Sequence, residues 1–397
     1  MSSRRSFIKK GVLTASVPLF APKTELFSIL KGVPSDQLNV GVIGTGARGQ
    51  GLINIINEIE GIDLIAICDT LPFRLNEAAS LAPKAKQYSN YQEMLLLKNL
   101  DAVIISTPLN THSVIASDAV DASVHIYCEK TMVKGDQDTL DLIQKVQNNH
   151  KKIFQTGHQY HSSRLYSHVV KMIQEGEIGQ VIAIQSQWNR NGDWRRYVPD
   201  PKFERQINWR MYREYSYGLT AELSSHQIDF CNWLLKENPI KVTGFGGIDY
   251  WKDGRETYDN TNLIYSYANG VKASFTCLTS NAKDDYQIKV MGDKATVIIS
   301  YDKAWKYPEG KYNKVIGNVD GVSGATQSWT EGKGNLINFN HLEPTRQALE
   351  DFKSSIINNT VPLSNLKSGA AVSFAVDMGI RAMDLKKVVS WNPKYNL

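Results

Sequence analysis

Leu38-Asn39-Val40-Gly41-Val42-Ile43-Gly44-Thr45-Gly46-Ala47-Arg48-Gly49 decides how the first half of the chain is organised. Its first six residues form a short apolar run with β-branched side chains, the pattern of a buried strand. The glycine pattern G-x-G-x-x-G follows at once, and an apolar helical stretch runs from about Gln50 to Ile59. Strand, turn and helix in that order give each glycine a task. Gly44 allows the tight turn, Gly46 lets the backbone approach a diphosphate, and Gly49 lets helix and strand pack closely. The free N–H groups of the helix N-terminus then face an anion. Gly44, Thr45, Gly46, Ala47, Arg48 and Gly49 thus read as a dinucleotide cradle; the alternative is a glycine turn in some other α/β fold.

The residues downstream extend the same pattern. A second strand, Asp63–Cys68, ends in Asp69, which lies 25 residues after Gly44. That is near the spacing of the acid that takes ribose hydroxyls. A carboxylate there repels a 2′-phosphate and selects NAD, while Arg48 and Arg74 keep NADP open. Further strands read at 102–106, 124–128 and 152–156, with a helix near 138–148. Strands separated by helices argue a parallel, doubly wound sheet. The polar residues at the carboxyl ends of its strands, Thr107-Pro108 and Glu129-Lys130, then line the ligand crevice.

The length of 397 residues suggests two domains. The formal charge of +5 is carried entirely by residues 1–33, so the remainder is neutral and has no bulk electrostatic reason to bind nucleic acid. Four cysteines make no disulfide framework. No apolar run is long enough to cross a membrane. Ser3-Arg4-Arg5-Ser6-Phe7-Ile8-Lys9 resembles a twin-arginine (Tat) export signal, with a modest apolar stretch from Gly11 to Ala21 behind it. The expectation is a periplasmic protein without a stable membrane anchor; the alternative is a basic amphipathic helix that stays on the chain.

The second half alternates in the manner of strands at 240–246, 262–267, 271–277, 286–291 and 295–300, with Asn269-Gly270 as a hairpin signal. Residues 307–340 read as a long loop, and helices at 341–358 and 368–389. The stretch Leu219–Leu235 reads as a helix, on which Glu222 and His226 share a face at i, i+4. A carboxylate so placed can hold a histidine tautomer. Just ahead, Trp188 to Tyr217 interleaves aromatic and basic residues. Aromatic faces with arginine forks suit a polar, ring-shaped ligand such as a carbohydrate. The bland alternative has the aromatics in the core and the arginines paired with Glu204 and Glu214. In His158-Gln159-Tyr160-His161 the two histidines are too few for a zinc site, so no metal is expected.

Four motifs in this order, Gly44–Gly49, Thr107-Pro108-x-x-x-His112, Glu129-Lys130 and Glu222-x-x-x-His226-x-x-Asp229, resemble the glucose–fructose oxidoreductase/inositol dehydrogenase (Gfo/Idh/MocA) family over roughly residues 38–390. With residues 1–33 set aside as the Tat-type signal and linker, the resemblance implies an N-terminal Rossmann domain at 38–157. A C-terminal α/β domain would follow at 158–390, with a large, mainly antiparallel open sheet used for homo-oligomerisation. It implies an NAD(P)-dependent oxidoreductase acting on a carbohydrate CH–OH. Lys130 and His226 would handle the proton and Glu222 would assist. Asp69, Thr107, Pro108, Asn110, His112, Glu129, Lys130, His158 and Gln159 would join the glycine turn at the cofactor. Arg190, Trp194, Trp209, Arg210, Tyr212 and His226 would meet the substrate.

Two departures stand out: Thr131 replaces the usual proline after Lys130, and Glu222 replaces an aspartate. An exported enzyme would do best to hold its cofactor tightly. Two other functions use the same residues: glycoside cleavage by transient oxidation and elimination, and non-catalytic NAD binding.

Overall fold

The computed structural model describes residues 37–149, 151–309, 334–339 and 342–396. The export signal expected over 1–33 lies outside them, as does most of the loop expected over 307–340.

Six parallel strands, β1 (Leu38–Ile43), β2 (Ile62–Cys68), β3 (Lys86–Tyr88), β4 (Ala102–Ile105), β5 (His125–Cys128) and β6 (Phe154–Thr156), form one sheet in the order β3-β2-β1-β4-β5-β6. β4 is buried along its whole length and β1 nearly so, as an apolar strand between two helix layers must be. The order reverses between β1 and β4, which opens a crevice at their carboxyl ends. One face of this sheet is covered by Leu52, Ile53 and Ile56, joined by Ala348, Leu349 and Phe352 from the helix Pro344–Asn358.

The second sheet has nine strands: β7 (Val181–Asn189), β8 (Lys241–Gly247), β9 (Asn260–Ser266), β10 (Lys272–Leu278), β11 (Tyr286–Gly292), β12 (Ala295–Ser300), β13 (Lys303–Pro308), β14 (Asn335–Leu336) and β15 (Val389–Ser390). Their order is β14-β13-β12-β11-β7-β10-β9-β8-β15. Every pairing is antiparallel except β7 with β10. β9 and β10 alternate along most of their length. Leu263, Tyr265, Phe275 and Cys277 are buried, while Ile264, Ser274 and Thr276 face the other way. The buried face packs on the helices Ser225–Leu235 and Leu366–Leu385, to which Tyr265 donates a hydrogen bond at Ala375 O, 2.8 Å. Each fully buried large apolar side chain contributes roughly 1.5–3 kcal/mol.

Several boundaries differ from the sequence reading, for local reasons. The first helix is Ala47–Ile56, with Gly46 itself as N-cap, so Arg48 and Gly49 lie in its first turn rather than before it. The last long helix runs Leu366–Leu385, not to Val389. Asn365 and Ser368 close a capping box at its start, and Lys386 leaves it at φ +51°. Val389–Ser390 then pairs with β8. β7, the central strand, has no counterpart in the sequence reading, because Gln185, Gln187 and Trp188 blur its apolar alternation. β13 enters the stretch read as loop.

The close helix–strand approach at Gly49 gives a stability test. A Cβ at Gly49 would lie 2.0 Å from Gly44 O, a backbone atom that cannot step aside. Gly49→Ala should lower stability by about 1–3 kcal/mol, read as a fall in the denaturation midpoint with an unchanged slope.

Candidate active site

The turns after β1, β2, β4 and β5 converge at the crevice. Gly44 has φ +89°, and a Cβ there would come within 2.8 Å of the Ser106–Thr107 backbone, so glycine is required. Ser106, read from sequence only as the end of a strand, donates through Oγ to Gly44 O at 2.7 Å and pins the turn. No side chain caps the first N–H groups of the helix Ala47–Ile56, and its first turn holds no acid. Those groups and the helix dipole remain open to an anion.

Asp69 ends β2 and ties the turn to it. Its Oδ2 accepts from Thr45 N at 2.8 Å and Thr45 Oγ1 at 3.2 Å, and its Oδ1 accepts from Leu71 N at 2.9 Å. A carboxylate has about four acceptor sites, so Asp69 keeps capacity for ribose hydroxyls.

A cavity of about 560 Å³ runs from Gly44, Gly46, Ala47 and Asp69 past Thr107, Pro108 and Asn110 to Arg210, large enough for a cofactor. Arg74 arches over Gly46, where an added Cβ would meet its Nη1 at 3.2 Å. Burial lowers the Arg74 pKa; Asp69 and Glu77 oppose this, and repulsion from Arg210 and Arg196 adds to it. Crowded guanidinium groups beside open helix N–H groups match a diphosphate. The residues fit a dinucleotide.

A smaller cavity of about 260 Å³ adjoins the first. The two share a wall of Arg48, Ser106, Thr107, Arg196, Trp209 and Arg210. Lys130, Glu222 and His226 line the smaller one together with Gln159, Trp188, Arg190 and Trp194. Lys130 Nζ donates to Glu222 O at 2.8 Å and lies 3.6 Å from Glu222 Oε2. Arg210 Nε donates to the same Oε2 at 2.8 Å, and Ser216 Oγ to Oε1 at 3.3 Å. Burial raises the Glu222 pKa, but Lys130 and Arg210 outweigh it and hold the carboxyl below its ordinary value. Burial drives Lys130 below its ordinary value despite Glu222 and Glu129. Burial, Lys130 and His158 drive His226 well below the ordinary histidine value, so it stands as a neutral imidazole. Its Nδ1 is buried without a partner, which leaves Nε2 for the cavity side.

Glu222 does not orient His226 as expected. Residues Thr220–Ser224 form a π-helical turn ahead of the α-helix Ser225–Leu235. The Glu222 carboxylate is taken by Arg210 and Lys130 instead. His226 is held by rings: Tyr160 at 5.2 Å, Trp188 at 5.6 Å and His158 at 5.8 Å between centroids.

His158, expected at the cofactor, lines neither cavity; it is fully buried beside His226, and burial pushes its pKa down to about 4. Tyr212, expected at the substrate, is also buried away from the cavity and donates to Glu204 Oε1 at 3.0 Å. His112 places its Nε2 3.0 Å from Thr107 O and its Nδ1 3.0 Å from Thr131 O, bracing the β4 and β5 turns against each other. Arg48 is spent on Glu129, through Nε at 2.8 Å and Nη2 at 2.7 Å. Thr131 makes up for the missing proline ring by donating to Ala221 O at 2.9 Å, and the Lys130–Thr131 peptide is cis. Asp229 lies 2.8 Å from His161 Nε2, outside both cavities.

A parallel sheet with a glycine cradle at its switch point, joined to an open sheet across a polar cavity, defines a two-domain dinucleotide-binding protein. Comparison with known proteins gives the family. Residues 38–158 match the oxidoreductase family with an NAD-binding Rossmann fold, and residues 166–298 match the GFO/IDH/MocA C-terminal domain. The chain belongs to the GFO/IDH/MocA family. An inositol 2-dehydrogenase of Corynebacterium glutamicum is 28% identical over 362 residues, 88% of this chain and 95% of its own. One from Salmonella typhimurium is 27% identical over 203 residues, 51% of this chain and 55% of its own length. The alignment thus spans about half of that relative. A levoglucosan dehydrogenase structure in complex with NADH and L-sorbose has the same fold, with TM-score 0.73 and 17% identity over 91% of this chain and 100% of its own.

Asp69 offers a test of cofactor choice. Asp69→Ala removes the acceptor of Thr45 N and the carboxylate expected to take the ribose hydroxyls. NAD affinity should fall at least tenfold, while the ratio of NAD to NADP affinity also falls because Arg74 remains. Titration of both nucleotides followed by protein fluorescence measures it.

Proposed function

We propose that the protein is an NAD-dependent oxidoreductase acting on a CH–OH group of a sugar or glycoside. The observation that supports this is the wall shared by the two cavities: a cofactor in the larger would face a small polar molecule in the smaller, whose lining includes Lys130 and His226. A bound nicotinamide dinucleotide supplies the hydride acceptor. His226, neutral through its burial, takes the hydroxyl proton at Nε2. Lys130 Nζ has three donors. Glu222 draws it through its carbonyl and carboxylate, and the remaining donor is available to the substrate oxygen as negative charge develops there. Arg210 shares the Glu222 charge, so Lys130 is held without being fully neutralised. Trp188, Trp194 and Trp209 give the ring of a sugar flat surfaces and exclude water. The inositol and levoglucosan dehydrogenases among its relatives support the carbohydrate class.

The same reading includes export, on the strength of Arg4-Arg5 and the apolar stretch behind them, and a cofactor retained through purification. It also includes self-association across the open sheet, where Phe245 and Ile264 stand exposed among Asn262, Ser274 and Thr276.

The test is turnover with NAD against a sugar panel that includes aryl glycosides. NADH formation supports the dehydrogenase; aglycone release without net NADH supports glycoside cleavage instead. His226→Ala should lower kcat about 10²–10⁴-fold with the fold intact by circular dichroism.

The pH profile follows from the shifts. A depressed His226 pKa keeps the base unprotonated down to well below 6.5, so kcat/KM should be flat from neutral pH to that point and then fall. A depressed Lys130 pKa puts the loss of the ammonium, and so the basic limb, below 10.5. The residual activity of Lys130→Arg should lack that limb, since a guanidinium does not titrate there. A profile with an acid limb above 6.5 would contradict the assignment.

A further inference from the structure

The arginine-rich segment 188–217 holds six arginines, and the structure sorts them. Arg195 pairs with Glu204 and Asp253, Arg205 with Glu214 and Glu256, Arg210 with Glu222, and Arg213 with Asp384. Two are left. Among the described residues neither Arg190 nor Arg196 forms a salt bridge to a carboxylate. Arg196 lies on the wall shared with the larger cavity and crowds Arg74, so a cofactor diphosphate accounts for it. Arg190 lines only the smaller cavity. The diphosphate does not explain it.

Arg190 is also built into place. Its guanidinium carbon stands 5.5 Å from the ring centroids of both Trp188 and Trp194. Trp194 adopts φ +69°, a left-handed backbone unusual for a bulky residue, while lining the cavity at Arg190. Trp188 in turn packs on His226. The cation is therefore one ring away from the imidazole assigned to the reacting hydroxyl. Of the two carboxylates lining the smaller cavity, Glu129 is engaged by Arg48, and Glu222 is shared between Lys130 and Arg210. The cavity keeps a surplus of positive charge, displayed as a planar fork on an aromatic platform.

We infer that the substrate of this site is an anionic sugar, whose carboxylate, sulfate or phosphate group is taken by Arg190 while His226 faces a hydroxyl of the same molecule. This rests on reading the smaller cavity as the sugar site. A planar fork binds such groups through paired N–H···O bonds. A neutral hexose would offer the fork hydroxyl oxygens but no negative charge to balance it. The aromatic faces on either side exclude water from the pair and limit its screening.

Calorimetric titration of the NAD-loaded full chain tests this without requiring turnover. The probes are galacturonate, galactose 6-sulfate and galactose 6-phosphate against galactose, and glucuronate against glucose. At least one anionic sugar should bind ten times or more tighter than its neutral parent, with a gap that narrows as salt is raised. In Arg190→Gln the gap should close to within about threefold, and Arg190→Lys, which keeps the charge but not the fork, should retain part of it. Retained NAD binding reports that each variant is folded.

If no anionic sugar binds better than its parent, or if Arg190→Gln keeps the gap, the inference is overturned. Turnover of neutral sugars with no charge preference would sink this inference and leave the dehydrogenase reading standing. Charge-dependent binding with no NADH formed from any sugar would do the reverse.

Discussion

A carboxylate moved from water into a protein interior loses several kcal/mol of hydration unless cations and hydrogen bonds replace it. Glu222 is in that position, and its partners come from separate parts of the chain: Lys130 from the turn after β5, Arg210 and Ser216 from the long segment between β7 and the histidine helix. The carboxylate therefore links the turn after β5 to the segment that leads into the helix carrying His226. Without Glu222, two cations would face each other across the same small space. Thr131, bonded to Ala221 O one residue away, sets the same join from the other side.

Burial does more than assemble this site. It also shifts the protonation equilibria of Lys130 and His226. The dominant influence on both Lys130 and His226 is removal from water, and for each it disfavours the charged form. Neighbouring cations push His226 further in the same direction. Glu222 stays ionised because two cations outweigh its own desolvation. One anion, one attenuated cation and one neutral base thus share the lining of a cavity of about 260 Å³.

The larger cavity obeys a different constraint, the close approach of backbone to backbone. Gly44 and Gly49 are packed so tightly against Ser106, Thr107 and each other that no side chain can enter. Ser106 and Asp69 then tie the turn to β4 and β2. Nothing in the helix's own first turn competes for the anion. Arg74 arrives from the next helix, Pro72–Leu81, and its charge is left partly uncompensated beside that opening.

The chain's local order was legible wherever function requires a fixed spacing. The strand–glycine–helix run at 38–56, the acid at Asp69 and the turns after β4 and β5 could be read because each depends on neighbours a few residues apart. The antiparallel strands after residue 240 were equally legible, since one buried face imposes alternation. What depends on distant partners was not. Glu222 pairs with Lys130 and Arg210 rather than with His226, and no i, i+4 rule anticipates partners that come from other segments. Composition could not say which arginines of 188–217 are neutralised, because Asp253, Glu256 and Asp384 that pair with them lie far along the chain. The sequence determined the fold class and the cofactor cradle, both set by backbone geometry and local period. The charge left in the smaller cavity was decided by tertiary structure alone, because it is the remainder after long-range ion pairing.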